Sequence, residues 1–325
     1  MKGTKGVYLA VLIFGAAMGA VPAAAQNVKI TPLGSHDGEF CPLDRALIFE
    51  DPDGTRILYD AGRTVRGASD PRLGKIDAIL LSHVHGDHLG DVHQPSANAG
   101  SCPKPDFSVA ATPNSNTVNI AMAKQAPIIV GGEMNFFLAA KVKSLGGDPG
   151  KLVRLVRFGA STLVGKVMVA GVPAVHSNGL SPAFLQKEQA QLLEANGLTA
   201  YVGPPGGFVL RFSNGLIAYL SGDTGITAEQ DLVVRGHYKA NLVVMNIGGF
   251  PFTTGPIEAT YVVNDLVRPN SVIASHANEP ATVDGKVAPN SKTAAFMKAA
   301  KMPVHVPLSG RTMEFDGSAR CVSGC

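Results

Sequence analysis

Between Leu80 and Asp91 the chain reads LLSHVHGDHLGD, with three histidines and an aspartate inside the six residues from His83 to His88. Ionisable side chains crowd in this way when they are solvated, paired, or held by a cation. The run just before them, Ile76 to Ser82, is apolar and reads as a buried strand, so the polar cluster belongs on the loop leaving it. A segment of this kind must sit where a core meets its surface. His83 and His85, two apart in extended chain, can point the same way, and the turn at Gly86 swings Asp87 and His88 towards a second position. The centres of a two-metal site lie roughly 3.5–4 Å apart, so one loop can seed both.

Short apolar runs ending in polar loops recur along the chain: VKITPLG, RALIFE, RILYD, IDAILLS, FSVAA and PIIVGG early, then KVMVAGVPAVHS, GGFVLRFSNG, LIAYLSGDTG, NLVVMNIGG and SVIASHANEP. Most of them read as strands. EMNFFLAAKVKSLGG has helical spacing and a Gly-Gly stop, and GPIEATYVVNDLVRPN reads as a helix with Pro256 near its start. Buried strands handing off to polar loops, alternating with helices in the second half, predict a layered α/β fold with its site on the loops.

Three of those loops supply further ligand types: His176 in AVHSNG, Asp223 in SGDTG and His276 in ASHANEP. The simplest assignment gives one metal His83, His85 and His176, gives the other Asp87, His88 and His276, and bridges them with Asp223. Three imidazoles with an open position for water suit zinc. Structural zinc sites usually close their coordination with cysteines, and this ligand set contains none.

The first 25 residues, two lysines followed by an apolar run and Pro22 with Ala23, Ala24 and Ala25, read as a cleaved signal peptide. Cleavage removes Lys2 and Lys5 and no acid, so the formal charge falls from +3 to +1, and residues 26–325 are expected to form one domain. A near-neutral surface without an arginine-rich, aromatic-interleaved run offers no footprint for nucleic acid. Arg154, Arg157 and Lys166 interrupt the most hydrophobic region, which argues against membrane insertion after processing. The expected location is periplasmic or secreted, where the cysteines Cys41, Cys102, Cys321 and Cys325 can form bridges. Three pairings are open, and the short CVSGC loop favours Cys321 with Cys325, leaving Cys41 with Cys102.

HVHGDH followed by His176, Asp223 and His276 resembles the metallo-beta-lactamase superfamily, whose loop reads H-x-H-x-D-H. Within it, YLSGDTG, NIGGFPFTTGPIEA, VIASH and VPLSGRTMEF are similar to predicted metal-dependent hydrolases related to ascorbate-6-phosphate lactonase. The resemblance implies a four-layer αββα sandwich with two metals at its edge, held by His83, His85, Asp87, His88, His176, Asp223 and His276. The expected reaction is hydrolysis of a small ester, lactone or related bond by a hydroxide on two zinc ions, with Asp87 orienting the nucleophile. Phosphodiester or lactam cleavage, an iron oxygenase, and a non-catalytic metal- or ligand-binding protein are the alternatives. Ser82 and Ser177 are set aside as nucleophiles, because every nearby histidine already has a better use. His36 resembles a position near the site in related proteins, and Phe184, Phe250 and Phe252 offer an apolar pocket wall. Residues 181–200 form an extra stretch that can act as a lid, and His93, His237 and His305 read as structural.

Overall fold

The computed structural model of the chain describes residues 1–3 and 27–325; the expected signal peptide, apart from its first three residues, lies outside them. The apolar runs other than FSVAA form two large sheets, while Val109–Ala110 of FSVAA pairs with Val92–His93 in a small one. The first runs Val153–Leu155, Ile128–Val130, Ala78–Leu80, Arg56–Tyr59, Leu47–Glu50, Val28–Pro32, Met313–Phe315, Cys321–Ser323. The second runs Ser161–Val164, Val167–Pro173, Gly206–Arg211, Ile217–Leu220, Leu242–Asn246, Ser271–Ser275, Val304–His305.

Most of these strands are buried on both faces, and their alternation divides the apolar side chains among three cores. Along Ala78–Leu80, Ala78 and Leu80 face the core between the sheets, while Ile79 faces outward. Leu242 and Val244 share the central core, and Val243 and Met245 face the other way. Outside the first sheet the layer includes the helices Asn116–Lys124 and Met134–Ser144, through Val118, Leu138 and Val142. Outside the second lie Gln230–Tyr238, Pro256–Tyr261 continuing as Val262–Val267, and Lys292–Ala299, whose Val234, Ala259, Val263 and Phe296 are buried there. The order of layers is therefore αββα.

Both helices expected from spacing are present. Met134–Ser144 stops before Gly146, whose amide bonds back to Lys143, and Pro256–Tyr261 starts with its proline beside the cap. The strand before the histidines is shorter than expected, Ala78–Leu80, and Gly86–Leu89 is a single helical turn. Asp87 and His88 thus leave the loop on a helix, which turns them towards the neighbouring strand ends.

In each sheet a block of parallel strands sets the site. Arg56–Tyr59 pairs in parallel with Ala78–Leu80, and Ile217–Leu220 with Leu242–Asn246, which pairs in turn with Ser271–Ser275. Parallel strands end on one side, so the loops that follow them meet at one edge of the sandwich.

Residues 181–200 are anchored to the core at their start. Phe184 is buried in the outer core of the first sheet, edge-on to Phe137, and the Lys141 ammonium donates to its carbonyl. The helix Lys187–Ala195 has no buried residue. Phe184 is therefore core and not pocket wall.

Cys41 is bridged to Cys102 and Cys321 to Cys325. The first bridge spans 61 positions and the second 4, so the first removes far more freedom from the unfolded chain. Replacing Cys41 and Cys102 by alanine is expected to cost about 3 kcal/mol in denaturant unfolding. A midpoint and slope equal to the parent's would show that this bridge does not stabilise the fold. Among the described residues no helix is long and apolar enough to cross a membrane.

Candidate metal centre

The seven ligand-type residues come together in one cluster. His83 and His85 follow Ala78–Leu80, Asp87 and His88 lie on the helical turn, His176 follows Val167–Pro173, Asp223 follows Ile217–Leu220, and His276 follows Ser271–Ser275. Donor atoms within 4.8 Å of one another group His83 with His85 and His176, and Asp87 with His88 and His276. Asp223 reaches both groups. Its Oδ2 lies 3.9 Å from His83 Nε2, 3.7 Å from His176 Nε2 and 2.9 Å from His276 Nε2, and its Oδ1 lies 3.3 Å from His88 Nε2.

The backbone bends to allow this. His276 takes a left-handed φ of 50°, and its carbonyl would stand 2.5 Å from any Cβ placed on Gly248. Only glycine leaves room there. Gly62, at φ 53°, likewise leaves its side-chain space to the Asp87 carbonyl, which would lie 2.3 Å from a Cβ.

An acidic residue not singled out in the sequence sits beneath the cluster. Asp60 is fully buried and accepts from Ser82 N at 2.9 Å, from Ser82 Oγ at 2.7 Å, and from His88 Nδ1 at 2.8 Å. Since the Ser82 hydroxyl donates to Asp60, it must accept from His83 Nδ1, 3.0 Å away. This network fixes the Nδ1–H of both imidazoles on Ser82 and Asp60 and turns both Nε2 atoms into the cluster. Ser82 is fully buried and spends its proton on Asp60, which removes it as a nucleophile.

Three of the inward atoms are buried without a well-formed hydrogen bond among the described residues: His83 Nε2, His88 Nε2 and Asp223 Oδ1. Leaving buried polar atoms unpaired costs free energy, and lone pairs converging from imidazoles and carboxylates are what a divalent cation takes up. The residues fit a metal. Asp60→Ala is expected to weaken a divalent cation at the cluster by about 10–100-fold, read by competition with a chromophoric chelator. An unchanged affinity would mean that His83 and His88 need no carboxylate behind them.

With only protons to share, the cluster polarises itself. Burial and the neighbouring His88 push His83 well below the usual histidine range. Burial pushes His88 the same way, but Asp223, Asp87 and Asp60 outweigh it and hold His88 at about 10. Burial pushes Asp223 upward, yet His276 and His88 hold it well below the usual carboxylate range. Asp87 is also buried against its charge, and Arg45 with His88 holds it down.

Arg45 is the second residue that spacing did not reveal. It is almost fully buried, and its Nε donates to Asp87 Oδ2 at 2.7 Å while its Nη2 donates to Asn278 Oδ1 at 2.8 Å. Asp60 had a signal, since RILYD is an apolar run ending in a carboxylate just as LIAYLSGD is. Arg45 had none, because an arginine opening RALIFE reads as the exposed start of a strand.

A cleft of about 650 Å³ opens over the cluster, lined among others by His85, Asp87, His176, Asp223, Phe250, Phe252, His276 and Lys292. Phe250 and Phe252 thus stand on the cleft wall as expected, and Phe250 is almost wholly exposed. His36 does not line it; its Nδ1 lies 3.1 Å from Ser35 Oγ. His93, His237 and His305 also stay outside the cluster.

An αββα sandwich with a histidine and carboxylate cluster on the loops at its edge is the architecture of the metallo-beta-lactamase fold. A family model described as a beta-lactamase superfamily domain matches residues 55–276, the span that holds the whole cluster. The chain belongs to the beta-lactamase superfamily. It is 32% identical over 317 residues to a UPF0173 metal-dependent hydrolase of Cupriavidus taiwanensis, covering 93% of this chain and 96% of that one. Its identity to a UPF0173 metal-dependent hydrolase of Cupriavidus necator is also 32%, over 275 residues and 81% of each chain. Among solved structures, Igni18, a metallo hydrolase of Ignicoccus hospitalis, superposes with a TM-score of 0.58 at 20% identity, over 89% of this chain and 99% of its own.

Proposed function

We propose that the chain is an exported metal-dependent hydrolase that carries two zinc ions and cleaves a small ester, lactone or related bond. One observation carries the reading: the Asp223 carboxylate lies within 3.9 Å of imidazoles from both groups of ligands. In this reading His83, His85 and His176 would hold one ion and Asp87, His88 and His276 the other, with Asp223 placed between the two sets. When bound, zinc lowers the pKa of water from about 15.7 towards about 7 and polarises the oxygen of the bond to be broken.

The chain's own residues do the positioning. Asp60 locks the tautomers of His83 and His88, so both lone pairs face inward without reorganisation. Asp87, kept ionised by Arg45, can accept a hydrogen bond from the attacking water and fix its direction. Phe250 and Phe252 give the cleft an apolar wall that displaces water around the reacting bond. The disulfides favour an oxidising compartment, which supports export.

The test is elemental analysis of the mature protein purified without added metal, followed by chelation and return of zinc. Two zincs per chain, with ester or lactone cleavage lost on chelation and regained with zinc, is the expected result. A single iron would move the reading to an oxygenase, and full metal occupancy without turnover of esters, lactones, lactams or phosphodiesters to a binding protein.

A further inference from the structure

The cleft has three basic residues on its wall, Arg45, Arg63 and Lys292, and they are not equivalent. Arg63 is committed to Asp91, with Nε and Nη2 each 2.7 Å from a carboxylate oxygen. Arg45 is committed to Asp87 and Asn278. Lys292 has no carboxylate within 4.0 Å among the described residues. Its ammonium donates instead to two backbone carbonyls, Gly248 O at 2.6 Å and Ala277 O at 3.3 Å.

Those two carbonyls belong to the loops that carry Phe250 and His276, so Lys292 is clamped beside the cluster. An ammonium has three N–H donors, and two are occupied. Lys292 is also the first residue of the helix Lys292–Ala299, where a cation opposes the helix dipole, so the helix gains nothing from its charge. The acids on the cleft wall, Asp87 and Asp223, are the ones that face the ligand cluster. A positioned cation with a spare donor, on a cleft of small-molecule size beside apolar Phe250 and Phe252, selects an amphiphile with one negative group.

We infer that Lys292 receives an oxyanion of the substrate, a carboxylate or phosphate borne a few bonds from the cleaved bond, and sets the specificity of the cleft for anionic substrates. This rests on the hydrolase reading above and names the substrate class for that site.

The test uses a matched pair of esters with one leaving group and acyl chains of equal length, neutral 4-nitrophenyl butyrate and anionic 4-nitrophenyl hemisuccinate. The parent protein is expected to favour the hemisuccinate by roughly tenfold in kcat/KM, mainly through KM, which is the worth of one charge-assisted hydrogen bond. In Lys292→Gln that preference, read as the ratio of the two esters in the same variant, falls to within about threefold, and Lys292→Arg restores much of it. Equal losses on both esters in Lys292→Gln would overturn the inference and make Lys292 a clasp between loops. So would a parent with no preference for the anionic ester.

Calorimetric binding of succinate and of inorganic phosphate supplies a readout that needs no turnover. If neither ester is cleaved, the ester reading fails on its own. Lys292-dependent binding of either anion would still uphold this inference, and binding of neither would overturn it. The tighter of the two anions tells carboxylate from phosphate.

Discussion

Asp223→Ala is expected to lose metal and activity together while the sandwich stays folded. The Asp223 carboxylate faces both sets of ligands, with Oδ2 2.9 Å from His276 and Oδ1 3.3 Å from His88 on one side, and Oδ2 3.7 Å from His176 and 3.9 Å from His83 on the other. Without it the imidazoles keep their positions, but in the two-zinc reading proposed above the negative charge that would offset two dications is reduced and the two ions would lose the carboxylate placed between them. The expected loss in kcat/KM is about a thousandfold, about 4 kcal/mol of transition-state stabilisation. Bound metal should fall below the parent's value by elemental analysis. The three apolar cores do not include Asp223, so far-ultraviolet circular dichroism should be unchanged. Full metal content with normal activity would sink the bridging assignment.

Arg45→Met tests the support behind the cluster. The arginine side chain is 2% exposed and its guanidinium spans Asp87 and Asn278, tying the strand Leu47–Glu50 to the loop after His276. Methionine fills similar apolar space but leaves the Asp87 carboxylate without its cation. Removing one partner of this part-buried pair is expected to cost about 3 kcal/mol, the low end for buried pairs, in the metal-free protein. Because a bound cation gives Asp87 another positive partner, the loss should shrink when the protein is loaded. Urea unfolding with and without chelator measures both. A metal-free variant as stable as its parent would mean that Asp87 does not depend on Arg45.

The layers were legible because an unbroken apolar run is a local property. RILYD and NLVVMN are such runs, and the structure buries both faces of the first, sending Ile57 and Tyr59 to one core and Leu58 to another. The clustering of His83, His85, Asp87 and His88 was legible for the same reason, since one loop carries all four. Phe184 was not, because a phenylalanine in a long insertion has the same local signature whether it faces a cleft or packs beside Phe137. His36 stands in a polar turn, LGSHDGE, and nothing in that turn says how far it lies from the cluster.

The amino-acid order by itself determined the strands, the polar loops at their ends and the identity of the ligand-type residues, because period and side-chain chemistry act within a few positions. Only the tertiary structure decided what stands behind those ligands. Asp60 lies 28 positions from His88, Arg45 lies 42 from Asp87 and 233 from Asn278, and Lys292 lies 44 from Gly248. Such contacts arise when the parallel strands of two stacked sheets end at a common edge, and no local pattern in the chain encodes which distant residue will meet which.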